Sequence, residues 1–173
     1  MGISELVRLM KPPSTPIERG SLALWEAVQS DLGLKLPDDY YEYGLTYGSG
    51  SLCNGFMVVS NWAAPHYRAF ITAESKAIRA AGTALHRQQV VVFPEKDGLL
   101  PWGRDENGSS LCWLTNGDPA AWPVVVQSRE GEQYQYEASM TAFLVGVFLN
   151  RIKCPVWHEP FTSEELNFQP SPQ

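Results

Sequence analysis

Long apolar segments are missing from this sequence, which has no run of about eighteen hydrophobic residues that could cross a bilayer. The amino terminus also lacks the basic-then-apolar order of a secretory signal peptide. Although the chain starts with Met1-Gly2, the sixth position holds Leu6 rather than the Ser or Thr that favours myristoylation. We therefore expect a cytoplasmic protein without a membrane partner.

Metal-binding and catalytic motifs are missing as well. The sequence contains no Cys-x-x-Cys, no His-x-x-x-His and no Gly-x-Ser-x-Gly pattern. Its cysteines, Cys53, Cys112 and Cys154, are odd in number and far apart, which favours reduced structural thiols. A partial calcium loop that starts at Asp105 has Asn116 where the final glutamate should stand. We expect no catalytic residue, no metal and no cofactor.

Clusters of basic residues are the third absence. The chain has 19 acidic and 13 basic residues, for a net charge of -6. Proteins that bind nucleic acid neutralise phosphates with grouped Lys and Arg, so we expect no nucleic-acid partner. An acidic protein is instead steered towards basic partners by long-range attraction.

The chain does contain enough apolar sequence for one core. It has 173 residues, of which 44% are hydrophobic. A chain of this length buries roughly 70% of its unfolded surface in a single core. We expect one domain over residues 1–152 and a proline-containing C-terminal extension over residues 153–173. A capping-box pattern from Thr162 to Glu165 predicts one helical turn within that extended arm.

Helix signals recur along the chain. The pattern Thr15-Pro16-Ile17-Glu18 predicts a helix start, and apolar residues continue at helical spacing to a C-terminal cap at Gly33. Residues 65–85 have the apolar spacing of a further helix, and Ser139 is placed to cap a final one.

Two adjacent aspartates, Asp38 and Asp39, follow Pro37. Such residues commonly cap a helix, and we expect them to begin a second short helix. A metal site or acid/base pair is the alternative, but neighbouring side chains on a helix point about 100° apart.

The clearest strand signal is a hairpin over residues 99–113. Its turn, Asp105-Glu106-Asn107-Gly108, contains residues that tolerate positive φ. The apolar run at 90–93 predicts a central strand buried on both faces. Further strands are predicted at 52–60, as a pair, and at 121–126 and 133–137. Together the elements predict a single α+β domain in which helices pack on five or six mostly antiparallel strands.

The order of these motifs resembles the SUKH superfamily, which comprises small cytosolic α+β domains. The similarity covers about residues 22–149 and depends on Leu36-Pro37-Asp38-Asp39-Tyr40, Tyr47-Gly48-Ser49-Gly50 and the Gly103–Gly108 turn region. The long stretch at 54–89, Gly44 within a predicted helix, and the proline-rich tail depart from the pattern. The superfamily includes bacterial immunity proteins and a yeast regulator of cell-wall synthesis.

The resemblance implies a non-catalytic immunity protein that binds a cognate bacterial toxin and neutralises it by occlusion. The toxin would be a basic nuclease or another enzyme that acts in the cytosol, and the protein is expected as a monomer or in a 1:1 complex. Candidate contact residues, chosen for loop position and chemistry, are Asp38, Asp39, Tyr47, Trp102, Arg104, Asp105, Glu106 and Asp118. For Trp102 the alternative is packing against the sheet. The alternative function is an intracellular protein-binding regulator or scaffold that acts through the tail.

Overall fold

The computed structural model describes residues 2–86 and 89–172. Its helices within these residues are α1 (Ile3–Leu9), α2 (Leu22–Leu32), α3 (Asp38–Tyr47), α4 (Tyr67–His86) and α5 (Met140–Phe148). Its strands are β1 (Gly50–Leu52), β2 (Met57–Val59), β3 (Leu99–Asp105), β4 (Ser110–Leu114), β5 (Val124–Gln127), β6 (Gln133–Tyr136) and β7 (Phe168–Pro170).

The strands form one antiparallel sheet in the order β6-β5-β4-β3-β2-β1-β7. The α+β class is therefore confirmed, with seven strands where five or six were expected. The additional strand comes from the C-terminal segment, in which Phe168, Gln169 and Pro170 pair with Leu52, Ser51 and Gly50. These residues carry little strand signal of their own, so only the partner edge of β1 explains their pairing.

Helices cover both faces of the sheet. On one face, Ile78 of α4 packs with Leu99, Cys112 and Val125. Alternate residues of β4 point to the opposite face, where Leu111 and others join a larger core with α1, α3 and α5. All of β5 and most of β4 are buried, as expected for strands that are covered on both sides.

The first predicted helix starts too early. Helix α2 begins at Leu22, and the Ser21 side chain accepts a hydrogen bond from the Leu24 amide. The residues before α2 instead lie beside the C-terminal end of α3, where the Ile17 carbonyl accepts a 2.9 Å hydrogen bond from the Ser49 amide. Glu18 adopts a φ of 53°, which a right-handed helix does not allow. The C-terminal cap at Gly33 is confirmed by its φ of 74°.

The predicted central strand at 90–93 is wrong. Only Val92 makes a bridge, and it pairs in parallel with Leu99 at the start of β3. Strand β3 is already paired with β2 on one edge, over Gly103–Asp105, and with β4 on the other. An open edge is therefore left only where β3 extends past the end of β2. Val91 is 40% exposed as a result.

The two aspartates after Pro37 do not cap the helix that they begin. Residue Pro37 is itself the N-cap of α3, and no side chain caps that end. Asp39 instead accepts 2.9 Å bonds from both the amide and the hydroxyl of Thr141, in the first turn of α5. Ser139 caps the same helix as predicted, through the Ala142 amide. Asp39 thus joins α3 to the start of α5.

Gly44 allows an aromatic ring to approach the backbone of α3 closely. A Cβ at this position would overlap the indole of Trp62, with its Cε2 atom at 2.7 Å. The Trp62 ring is 1% exposed and stacks on Tyr41 with 5.6 Å between ring centroids. The glycine at position 44, which departs from the family pattern, is therefore required for the packing of Trp62 against α3.

We predict that Gly44→Ala destabilises the protein although alanine favours helices by about 1 kcal/mol over glycine. Overpacking of a filled core costs about 1–3 kcal/mol, and here the indole would also have to leave the α3 backbone. Urea unfolding should show a lower free energy of unfolding. The exposed Glu42→Ala substitution in the same helix is the control and should change it by less than about 0.5 kcal/mol. An unchanged or more stable G44A protein would contradict the packing role of Gly44.

The cysteines are free and buried, as the odd count suggested. Burial raises the pKa of Cys53 to about 12, and it raises the pKa values of Cys112 and Cys154 as well. Because the thiolate is the reactive form, protonated thiols in the core react slowly with electrophiles.

We therefore expect a disulfide-exchange reagent at pH 8 to label none of the cysteines of the folded protein within minutes. In denaturant, where burial is lost, the reagent should label all three cysteines and release three equivalents of its own thiol per chain. Rapid labelling of the native protein would show that at least one thiol is accessible and ionised.

Candidate partner-binding surface

Three tight turns meet at one end of the sheet. Because neighbouring strands from β1 to β6 are all antiparallel, the turns β1–β2, β3–β4 and β5–β6 lie at the same end of the sheet. The Glu106 amide in the second turn donates a 2.8 Å bond to the Phe56 carbonyl in the first. Gly108 lies beside the Arg129 side chain in the third, with an ideal Cβ 3.4 Å from its Cδ. We call this surface, with the C-terminal residues that cover it, the turn end.

The C-terminal segment is fastened to the turn end through Asp105. One carboxylate oxygen of Asp105 accepts a 2.8 Å bond from the Ser109 amide, which closes the β3–β4 turn. The other accepts a 2.8 Å bond from the indole nitrogen of Trp157. Asn167 further along the segment donates a 2.7 Å bond to the Asn54 side chain. A single buried carboxylate thus fixes both the turn and the segment that lies over it.

Aromatic rings form the floor of the turn end. Trp157 and Phe161 lie 6.0 Å apart, and each contacts Phe56, at 6.4 and 5.8 Å between centroids. Trp157 also reaches Phe143 of α5 at 6.1 Å. A cleft of about 450 Å³ opens between these rings and the β3–β4 turn. Its position is therefore set by core contacts, which makes the surface preorganised for binding.

Three exposed carboxylates line this cleft, those of Glu106, Glu159 and Glu165. Glu130 and Glu132 are exposed in the neighbouring β5–β6 turn. Glu130 pairs with Arg129 at 3.4 Å, but both side chains are well exposed, so the pair is weak. Hydrogen bonds from the amide and hydroxyl of Thr162 lower the pKa of Glu165. This contact confirms the predicted Thr162–Glu165 pairing.

Two of these carboxylates have no side-chain partner among the described residues. Within residues 2–86 and 89–172, neither Glu106 nor Glu159 forms a hydrogen bond or an ion pair through its side chain. Both line the cleft. Their charge is therefore directed at solvent, next to apolar rings.

Three of the candidate contact residues are not exposed. Tyr47 and Trp102 are both 0% exposed and belong to the core, so packing against the sheet is what the structure shows for Trp102. Tyr47 donates its hydroxyl to the Met10 carbonyl at 2.6 Å. Asp105 is 4% exposed and holds Trp157 as described. Each was chosen for exposure in a loop, and tertiary packing removes that exposure.

The other candidates are divided among separate surfaces. Asp38 and Asp118 line one cleft of about 390 Å³ at the opposite end of the sheet, where the β4–β5 connection lies. Asp39 is half-buried against Thr141, and Asp118 also caps a short 3-10 turn through the Ala120 amide. Arg104 is exposed on the α4 side of β3. Only Glu106 belongs to the turn end as an exposed group.

Sequence analysis missed the tail residues that complete the turn end. Trp157, Phe161 and Glu159 had been placed in an extended arm, yet they form the wall of the cleft. The aromatic content of that arm was the available signal, because disordered segments contain few aromatic residues, whereas Trp157 and Phe161 are half-buried here.

The described part of the chain contains no group of three or more His, Cys, Asp or Glu side chains placed to hold a metal ion. None of the helices in that part has the length and apolarity needed to cross a membrane.

Comparison with known proteins identifies the family. The model SUKH_6, described as SMI1-KNR4 cell-wall, matches residues 23–144. No curated protein and no solved structure matches this chain. The matched range includes α2 through the first half of α5, and so spans the sheet from β1 to β6. Since the match covers more than half of the sequence, the chain belongs to the SMI1-KNR4 family of the SUKH superfamily.

Proposed function

We propose that this protein is a non-catalytic immunity protein of the cytoplasm, which binds a cognate bacterial toxin through the turn end and blocks it by occlusion. Membership of a superfamily that includes immunity proteins supports this proposal. The strongest structural support is the pair of carboxylates Glu106 and Glu159, which have no side-chain partner among the described residues and line an aromatic cleft. Carboxylates around aromatic anchors are suited to a basic protein surface.

The charge of the turn end supports a proposal about the class of toxin. Glu106 and Glu159 are not neutralised within the described residues, so a partner with Lys or Arg at its interface gains their attraction at little cost to this protein's own contacts. Enzymes that act on nucleic acid carry such cations in their substrate clefts. A basic nuclease is therefore the partner that we propose, bound in a 1:1 complex by a monomer.

The rigidity of the turn end favours occlusion over induced change. Its turns are hydrogen-bonded to each other through Glu106 and Phe56, and its C-terminal wall is held by Asp105. A surface that is already ordered loses little conformational entropy on binding, so more of the contact energy appears as affinity. Such a surface can cover a substrate cleft without rearranging.

The regulator or scaffold alternative fits the description of the family as SMI1-KNR4 cell-wall. It was expected to act through an extended tail. The tail instead contributes β7 and the Trp157 wall, so deleting it would damage the turn end under either function. Point substitutions on the intact fold are the better test.

We predict that the double charge reversal Glu106→Lys/Glu159→Lys weakens the complex with the toxin by about tenfold or more and reduces its dependence on salt. Both side chains are exposed and unpaired, so folding should be unaffected. The toxin to be used is the C-terminal domain encoded by the neighbouring gene. Binding is measured by calorimetry at two salt concentrations, and protection is measured by survival of cells that express the domain.

The matched control is Glu26→Lys/Asp38→Lys, which makes the same change of charge in the cleft at the opposite end of the sheet. It should leave affinity and protection intact. Loss of protection in the control alone would assign the toxin to that end. If the wild-type protein forms no stoichiometric complex and gives no protection, while several partners bind weakly, the scaffold function replaces the immunity function.

A further inference from the structure

A second, larger cleft is lined by α4. It has a volume of about 980 Å³ and runs between α4 and the segment that contains Val92, Phe93 and Pro94. Its size is at the upper end of the range for ligand sites, which is about 300–1,000 Å³. Apolar groups, including Ile71 and Ala80, form most of its surface. Neither the turn end nor the proposed toxin contact uses any of these residues.

The charged side chains that line this cleft are all positive. Arg68, Lys76 and Arg79 all line it from α4. Arg68 makes an exposed 3.5 Å pair with Asp31, and Arg79 pairs with Glu95. Lys76 forms no ion pair within the described residues. On a protein with a net charge of -6, a cleft lined by cations is a local reversal of sign.

Buried groups in the cleft wall lack partners. Ser75 is 7% exposed, and its hydroxyl has no hydrogen-bond partner among the described residues. The Nε atom of Arg79 is likewise buried without a partner. Buried polar atoms are normally hydrogen-bonded, so unpaired ones beside a cavity indicate where a ligand's acceptor belongs. Both donors belong to residues that line this cleft.

The shape of the cleft is elongated. Its lining residues on α4 extend from Arg68 to Ala84, a distance of about 24 Å at 1.5 Å per residue. About seven residues of extended chain, at roughly 3.3 Å each, span this length. The mixture of an apolar wall and spaced cations matches an extended peptide with alternating apolar and acidic side chains. A nucleic acid strand would meet a mostly apolar surface instead of continuous basic charge, because two of the three cations are already paired with carboxylates of this chain.

We propose that this cleft binds an acidic, apolar peptide segment of a protein partner in extended conformation. Ser75 and Arg79 donate to the peptide, Lys76 pairs with one of its carboxylates, and the Val92–Pro94 wall covers its apolar side chains. This recognition is independent of toxin binding at the turn end. One molecule would then carry two surfaces of opposite charge that take different partners.

The test is selection of a phage-displayed random heptapeptide library on the full-length protein. We expect enriched peptides that alternate Asp or Glu with apolar residues. Their affinity, measured by fluorescence polarisation with synthetic peptides, should fall by about tenfold or more in Lys76→Glu, through charge repulsion. It should fall similarly in Ala80→Trp, which fills the cleft from an exposed position of α4.

Matched controls are Lys11→Glu, at an exposed site after α1, and Ala77→Trp, at an exposed position of α4 that does not line the cleft. Both should bind the peptides like the wild type, and thermal unfolding should show that all variants are folded. The proposal is overturned if no peptide or only basic peptides are enriched, or if Ala80→Trp binds normally. It is also overturned if a single-stranded decanucleotide binds more tightly than the selected peptides in a Lys76-dependent manner.

Discussion

Insertion of the Trp62 indole against the backbone of α3 is the constraint on which the rest of the structure depends. The ring stacks on Tyr41 and meets Trp25 at 5.0 Å, so it joins α2 to α3. On the same helix, Tyr40 contacts Trp113 of β4 at 5.0 Å, which transmits the packing to the sheet. Trp62 also lies where the chain leaves β2 for α4. The packing of Trp62 against α2 and α3 thus lies five residues before the start of α4, the helix that lines the larger cleft.

The first turn of α3 connects the core to the turn end. Asp39, next to Tyr40, holds the first turn of α5 through Thr141. Helix α5 presents Phe143 to Trp157, and Trp157 is held in turn by Asp105. The proposed toxin surface is thus connected to the core by a continuous series of contacts. Helices cover both sheet faces, so the turns and the outer side of α4 are what the fold leaves for partners.

Local chemistry was readable from the sequence, whereas contacts between distant segments were not. Gly33 and Ser139 end and begin helices through bonds to residues within four positions, so their patterns suffice. The pattern at Thr15 was equally good locally, but Ile17 bonds to Ser49 instead. The β7 pairing and the Asp39–Thr141 contact join residues more than a hundred positions apart. No periodicity within either segment encodes such a pairing.

The aspartates and glutamates show most clearly why a binding surface cannot be chosen by residue type. Asp105 is buried and organises a turn, Asp39 caps another helix, and Asp118 caps a short turn. Each satisfies the fold, and burying such a carboxylate under a partner would compete with its internal bonds. Among the described residues, the side chains of Glu106 and Glu159 have no such bonds, so they are free to pair with the cations of a partner. A carboxylate that lies beside an apolar cleft and forms no bond within the fold is therefore a more informative sign of a binding surface than an acidic composition.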